Sequence, residues 1–178
     1  MTFWDQLKQW FAELFAPVAA KPVPAPTPEP PAKPTPKPSP LDWFVRRDQW
    51  GEHNPDNVRE LSKGWVLTKH CKSYKTIVGA DYAWCGMSLA TAMKDCGLTY
   101  PVQCETAMNW IGHGRAVNWK RDGIPRGAIV VVQGYHVALC DEYTAPGKDG
   151  VFLRGGNQLN KICRKWDDRE VVWVGIPV

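Results

Sequence analysis

A cysteine, a histidine and an asparagine, met in that order along the chain, are the residues here that could carry nucleophilic chemistry: Cys85, His136 and Asn157. Cys85 stands in Asp81-Tyr82-Ala83-Trp84-Cys85-Gly86-Met87-Ser88-Leu89-Ala90, which reads as a loop running into a helix. From there Gly86, Leu89, Ala90, Met93 and Cys96 recur at helical spacing, and Gly97 is a natural stop. A thiol at a helix entry meets unpaired backbone N–H groups and the positive end of the helix dipole. Both favour thiolate over thiol, so the placement predicts a sulfur of lowered pKa and nucleophilic character.

Such a nucleophile needs a base, and the base needs an orienting group. His53 and His113 lie in glycine-flanked loops and His70 stands beside a lysine, so each reads as a solvated histidine. His136 differs because it opens the strand His136-Val137-Ala138-Leu139-Cys140. Asp141, five residues along, leaves from the other face. Glu142 has the right face but lies about 20 Å away at roughly 3.3 Å per residue. The hairpin 135–155 turns on Thr144-Ala145-Pro146-Gly147-Lys148-Asp149, and pairing symmetric about its midpoint opposes residues whose numbers add to 293. His136 then faces Asn157, with Cβ atoms about 4.5–5.5 Å apart. In this arrangement Cys85 attacks a carbonyl carbon, and His136 takes the thiol proton and later protonates the leaving amine. Asn157 holds the imidazole tautomer, and the Cys85 backbone N–H stabilises the oxyanion.

The elements that must position these residues follow from the rest of the chain. It has 178 residues, 44% of them hydrophobic, with ten tryptophans, which suits one packed domain with appendages. Residues 3–15 are amphipathic: Phe3, Trp4, Leu7, Trp10, Phe11, Leu14 and Phe15 share one helical face. Residues 21–40 hold ten prolines and predict a polyproline II spacer. At about 3.1 Å per residue it would extend roughly 60 Å. The division is therefore an amphipathic helix over 1–20, a Pro-rich linker over 21–40 and a domain over 41–178. Within the domain, helices are expected near Asp42–Gln49, from Pro55, from Cys85 and over about 104–111. Strands are expected over Gly127–Gln133, Tyr135–Tyr143, Val151–Arg154 and Val171–Ile176. Helices followed by antiparallel strands make an α+β domain.

At these residues the chain resembles the NlpC-like and CHAP-like cell-wall peptidases, especially small members carried by bacteriophages. The matching pieces are Trp84-Cys85-Gly86, Ile124-Pro125-Arg126-Gly127-Ala128-Ile129-Val130, His136-Val137-Ala138 and Gly155-Gly156-Asn157-Gln158, with a weaker match at Asn54-Pro55. The resemblance covers roughly 43–178. It implies a papain-like fold and hydrolysis of amide bonds in peptidoglycan stem peptides, by an endopeptidase or an N-acetylmuramoyl-L-alanine amidase. It also implies the catalytic roles of Cys85, His136 and Asn157. Such sequences often carry a large aromatic three residues after the cysteine; this chain has Ser88.

Other classes are weighed against that one. A net charge of +4 without a dense basic run gives no nucleic-acid signal. The six cysteines form no C-x-x-C pair and no zinc-ligand spacing, so neither a metal nor a cofactor is expected. The opening Met1-Thr2-Phe3-Trp4-Asp5 lacks the basic region and apolar core of a secretory signal. The expectation is a monomeric hydrolase made in the host cytoplasm that acts on the wall, a phage endolysin, with residues 3–15 contacting a membrane surface. The rivals are an antibacterial effector toxin of the same fold and a non-catalytic wall-binding or structural phage component.

Overall fold

The computed structural model describes residues 2–14, 38–68 and 83–178. The chain divides into two units, Met1–Thr35 and Pro36–Val178, each taken by itself. The spacer expected over 21–40 falls almost wholly outside the described residues, as do Phe15, His70, Cys71, Asp81 and Tyr82.

In the first unit, α1 spans Phe3–Leu14. Its start is fixed by the Asp5 carboxylate, which accepts from the Thr2 N–H at 2.9 Å and the Thr2 hydroxyl at 2.6 Å. Phe3, Trp4, Trp10 and Phe11 are all exposed. No described helix is long and apolar enough to cross a membrane.

The second unit is an α+β domain. Helix α2 (Pro40–Val45) starts at a capping box in which Ser39 and Asp42 satisfy each other's backbone N–H. Helix α3 (Pro55–Ser62) starts where the Asn54 side chain accepts from the N–H groups of Asp56 and Asn57. Helix α4 (Cys85–Asp95) is buried through most of its length, and a short α5 (Trp119–Asp122) lies between the first and second strands of the sheet. The six strands are β1 (Arg115–Ala116), β2 (Ile129–Val132), β3 (His136–Cys140), β4 (Val151–Gln158), β5 (Lys161–Asp167) and β6 (Val171–Ile176). They form one antiparallel sheet in the order β1-β6-β2-β3-β4-β5.

Alternation along the strands builds two apolar layers. Ile129, Val131, Val137, Leu139 and Ile162 pack with α2 and α4, around Phe44, Met87, Leu89 and Met93. Ala128, Val130, Val132, Ala138, Cys140, Val151, Leu153 and Val174 form the core of the other face, with Ile124 beside them.

Three expectations need correction. The helix expected near Asp42–Gln49 is the shorter Pro40–Val45. The helix expected over 104–111 is only a 3-10 turn, Ala107–Trp110. The Trp110 indole N–H donates to the Cys104 carbonyl at 3.0 Å, taking the acceptor that an α-helix would give to residue 108. Strand β5 was not foreseen, because Lys-Ile-Cys-Arg-Lys-Trp-Asp carries four charges and no clean alternation. It is an edge strand, where charge deters pairing with another chain.

Two glycines let α4 seat against its neighbours. A Cβ at Gly86 would stand 2.0 Å from the Cys104 carbonyl oxygen, and one at Gly156 would stand 2.3 Å from Ser88 Oγ. Gly86→Ala and Gly156→Ala should each cost at least the 1–3 kcal/mol or so of an overpacked core. Gly64, with nothing within 4 Å of its Cβ position, is the control: Gly64→Ala should stay within about 0.5 kcal/mol of the parent. Urea denaturation compares the three; equal costs would remove the steric account.

Candidate active site

The first turn of α4 begins at Trp84, a residue that offers no capping acceptor, and no side chain caps the helix. The N–H groups of Cys85 and Gly86 turn instead toward the Cys85 sulfur. Trp84 is fully buried and donates from its indole to Glu52 Oε1 at 2.7 Å, which fixes the entry of the chain into the helix. Ser88, also fully buried, donates to the Cys85 carbonyl at 2.7 Å. The Gly156 backbone and the Trp84 ring fill the space around it. A small residue is therefore required at this position.

The sulfur lies where two strands part. Ladder pairs Leu139↔Arg154 and Cys140↔Leu153 both add to 293, so the hairpin register read from the sequence holds there. Pairing of β3 with β4 then stops, and β4 carries a register shift between Gly155 and Gln158. Along β3 the N–H of Cys140 turns to Ala128 before β2 and that of Asp141 to Phe152 on β4. Alternation sends the Val137 N–H toward β4. With β4 unpaired at that level, it is the Cys85 sulfur that this N–H meets. The thiol thus sits against the peptide that joins His136 to Val137.

His136 pairs with Val132 across β2–β3 and falls by alternation on the Ala138 and Cys140 face. Lys165 and Asp167, opposed to Leu153 and Val151, share that face. Thiol and imidazole therefore approach the split from opposite sides, and no hydrogen bond joins them among the described residues.

Asn157 lies in the shifted stretch of β4 with φ 56°, a left-handed conformation that asparagine tolerates better than most residues. It borders the same pocket as His136, but the side chain set against the imidazole is that of Gln158. Gln158 Nε2 donates to the Cys163 carbonyl at 2.6 Å, which settles the orientation of the amide and leaves Oε1 as a free acceptor. Gln158 Oε1 and His136 Nε2 are both buried without a hydrogen-bond partner among the described residues. A complementary acceptor and ring nitrogen are thus held on neighbouring side chains at the inner end of the site.

Burial governs the electrostatics. It pushes the Cys85 thiol above its ordinary pKa, against the N–H groups of Val137, Gly86 and Cys85 and the charge of Arg169, which pull the other way. This corrects the expectation of a thiolate at the helix entry: the N–H groups are present, but with 1% of the residue exposed the desolvation of a sulfur anion outweighs them. His136 is driven down to about 4, first by burial and then by Arg169, with Asp167 opposing. At rest the pair is thiol and neutral imidazole.

Arg169 and Asp167 were not singled out by the sequence, since nothing in the pattern of an edge strand and its following turn marks them. Arg169 Nε and Nη2 donate to the two Asp167 carboxylate oxygens at 2.9 and 2.5 Å. Burial works to raise the Asp167 pKa, yet these bonds hold it below its ordinary value. Asp141, set aside as an orienting group from its strand face, is engaged elsewhere, with Arg154 at 2.8 Å and Arg164 at 2.7 Å. Next to His136 a pocket of ≈ 280 Å³ opens, bordered by Ala83, Tyr135, Asn157, Lys165 and Arg169. Among the described residues no three His, Cys, Asp or Glu side chains are arranged to hold a metal ion. Comparison with protein-family models, curated proteins and solved structures returns no match.

The shift of His136 has a sign that can be measured. Its folded pKa, about 4, lies below the ordinary 6.5. Between these values the unfolded chain binds a proton that the folded chain does not, so stability falls as pH drops through that window. The full loss from this group is about 3 kcal/mol. Between pH 7 and pH 4 the unfolding free energy of the wild type should fall by about 3 kcal/mol more than that of His136→Gln, whichever is the more stable at pH 7. Parallel curves would remove the buried neutral imidazole.

Proposed function

We propose that this chain is a peptidoglycan hydrolase with a papain-like fold, cleaving an amide bond of the stem peptide through a thioester on Cys85. The observation that carries the reading is the seating of the buried Cys85 sulfur at the head of α4, beside the β3–β4 split, with the N–H groups of Val137 and Gly86 turned toward it.

In this mechanism the substrate carbonyl approaches from the His136 pocket and the sulfur attacks its carbon as the thiol proton passes to His136 Nδ1. The N–H groups at the start of α4 stabilise the oxyanion. The imidazolium then protonates the leaving amine, and a water molecule, deprotonated by His136, hydrolyses the thioester and restores the thiol. Resting thiol and neutral imidazole suit this order, because charge separates only once the bound substrate excludes water and brings thiol and imidazole together. Gln158 is assigned the orienting role first given to Asn157: its fixed Oε1 and His136 Nε2 have no other hydrogen-bond partner among the described residues, and their pairing when substrate binds leaves Nδ1 as the base. Asp167 favours the transient imidazolium.

The second part of the proposal concerns place and partner. The enzyme is made in a host cell and reaches the wall at lysis, with α1 lying on a membrane surface. Support for the latter is the exposure of Phe3 (71%), Trp4 (66%), Trp10 (58%) and Phe11 (49%) on one short helix.

Cys85→Ala should abolish release of peptides from purified sacculi while leaving the folded domain intact by circular dichroism. His136→Ala should be nearly as damaging. Gln158→Ala should lower kcat by about 10–100-fold, as for loss of an outer-shell partner, and Asn157→Ala by less. The reverse ranking of Gln158 and Asn157 would return the orienting role to Asn157, and full lytic activity in Cys85→Ala would end the mechanism.

The helix is tested separately. The full chain should sediment with neutral phosphatidylcholine vesicles, and replacing Trp4, Trp10 and Phe11 together by serine should release it. If instead the wild type ignores vesicles but forms a dimer lost in that variant, α1 is an oligomerisation element.

A further inference from the structure

Arg169 stands where two cavities meet. It borders the ≈ 280 Å³ pocket beside His136 and also a second cavity of ≈ 400 Å³ lined by Trp119, Thr144, Lys148 and Val171. Its guanidinium is held from one side only. Nε and Nη2 are committed to Asp167, which is itself 4% exposed and cannot swing away to solvent. Nη1 makes no hydrogen bond among the described residues and passes over Gly134, 3.5 Å from where a Cβ would stand. The side chain remains 40% exposed. A guanidinium locked in orientation by a buried carboxylate, with an edge turned to a cavity, is preorganised to receive a planar anion. Lys165 adds a second cation to the same pocket and has no ion-pair partner among the described residues. Among the described residues Asp167 is the one acidic residue on the pocket wall, and Arg169 already engages it. The uncommitted charge of these lining residues is positive.

We propose that Arg169, assisted by Lys165, receives a carboxylate of the substrate next to the cleaved amide, making this an enzyme for anionic peptides. The assignment rests on the peptidase reading above and narrows its substrate class. It gives Asp167 a part as the strut that aims the guanidinium. It also couples binding to chemistry, because a bound carboxylate offsets the Arg169 charge that disfavours protonation of His136.

The test uses two muropeptides identical except that one carries a free α-carboxylate on its glutamyl residue and the other a carboxamide there. Binding of each is measured on the full-length Cys85→Ala protein by calorimetry, and cleavage of each on the wild type by chromatography. The carboxylate peptide should bind about tenfold or more tightly, the value of one charge-assisted pair. The ratio should collapse toward one in Arg169→Gln through loss of affinity for the carboxylate peptide. Should Arg169→Gln fail to fold, Lys165→Gln, on the exposed edge strand, should reduce the ratio in part. Cleavage of both peptides with no preference in binding would overturn the anion subsite and leave the peptidase standing. Preference in binding with no cleavage by the wild type would uphold the subsite and overturn the peptidase.

Discussion

The meeting of the α4 N-terminus with the gap between β3 and β4 is the contact on which the rest of this domain depends. A helix end has N–H groups that need acceptors, and an interrupted sheet has one more. Among the described residues no capping side chain and no continued strand supplies the acceptor; the N–H groups of Gly86 and Val137 turn toward the Cys85 sulfur. Geometry this close is available only because Gly86 lies on the Cys104 carbonyl and Gly156 lies on Ser88 and Trp84. Helix, turn and strand are thus fixed around one sulfur atom, and the 3-10 turn at Ala107–Trp110 exists to serve the same carbonyl.

The depth of that contact sets its electrostatics. Donors directed at a sulfur lower its pKa, and removal from water raises it; where the side chain is sealed, the second effect is larger. The same burial, aided by Arg169, keeps His136 unprotonated. In the proposed mechanism such a site is quiet at rest, and the cost of separating charge falls on the reaction step, where a bound substrate can lower it. Gln158 suits that proposal because its amide is neutral: it can fix a tautomer without adding charge to a dry site.

Charged residues are sorted by the sheet into two groups that do not mix. Arg154, Arg164, Asp48, Asp141 and Glu142 tie β4 and β5 to the turn after α2 and to the β3 end. Asp167 and Arg169 form the second group beside His136. The sorting follows from β5, where successive residues face opposite sides: Arg164 joins the first group while Lys165 and Asp167 face the second. Arg47 supplies a third anchor, its guanidinium 3.9 Å from the Trp43 ring centroid, which steadies α2 without contributing to the site.

The sequence by itself determined what local rules can reach. Asn54-Pro55 starts a helix as read, because capping and proline geometry act over three or four residues, whereas the start at Ser39-Pro40 was hidden in the Pro-rich run. Helical spacing placed Cys85 at the head of α4, and the turn midpoint set the register of β3 on β4 as far as Arg154. Beyond that residue the strands part, and a rule of symmetric pairing has no hold on a bulge. It pointed to Asn157, whereas the amide facing the imidazole belongs to its neighbour Gln158. The burial that reverses the thiol pKa, the arrival of Val137 at the sulfur and the company of Asp167 and Arg169 were decided only by tertiary structure. Each joins residues tens of positions apart, and desolvation depends on everything that surrounds a group rather than on the residues beside it in the chain.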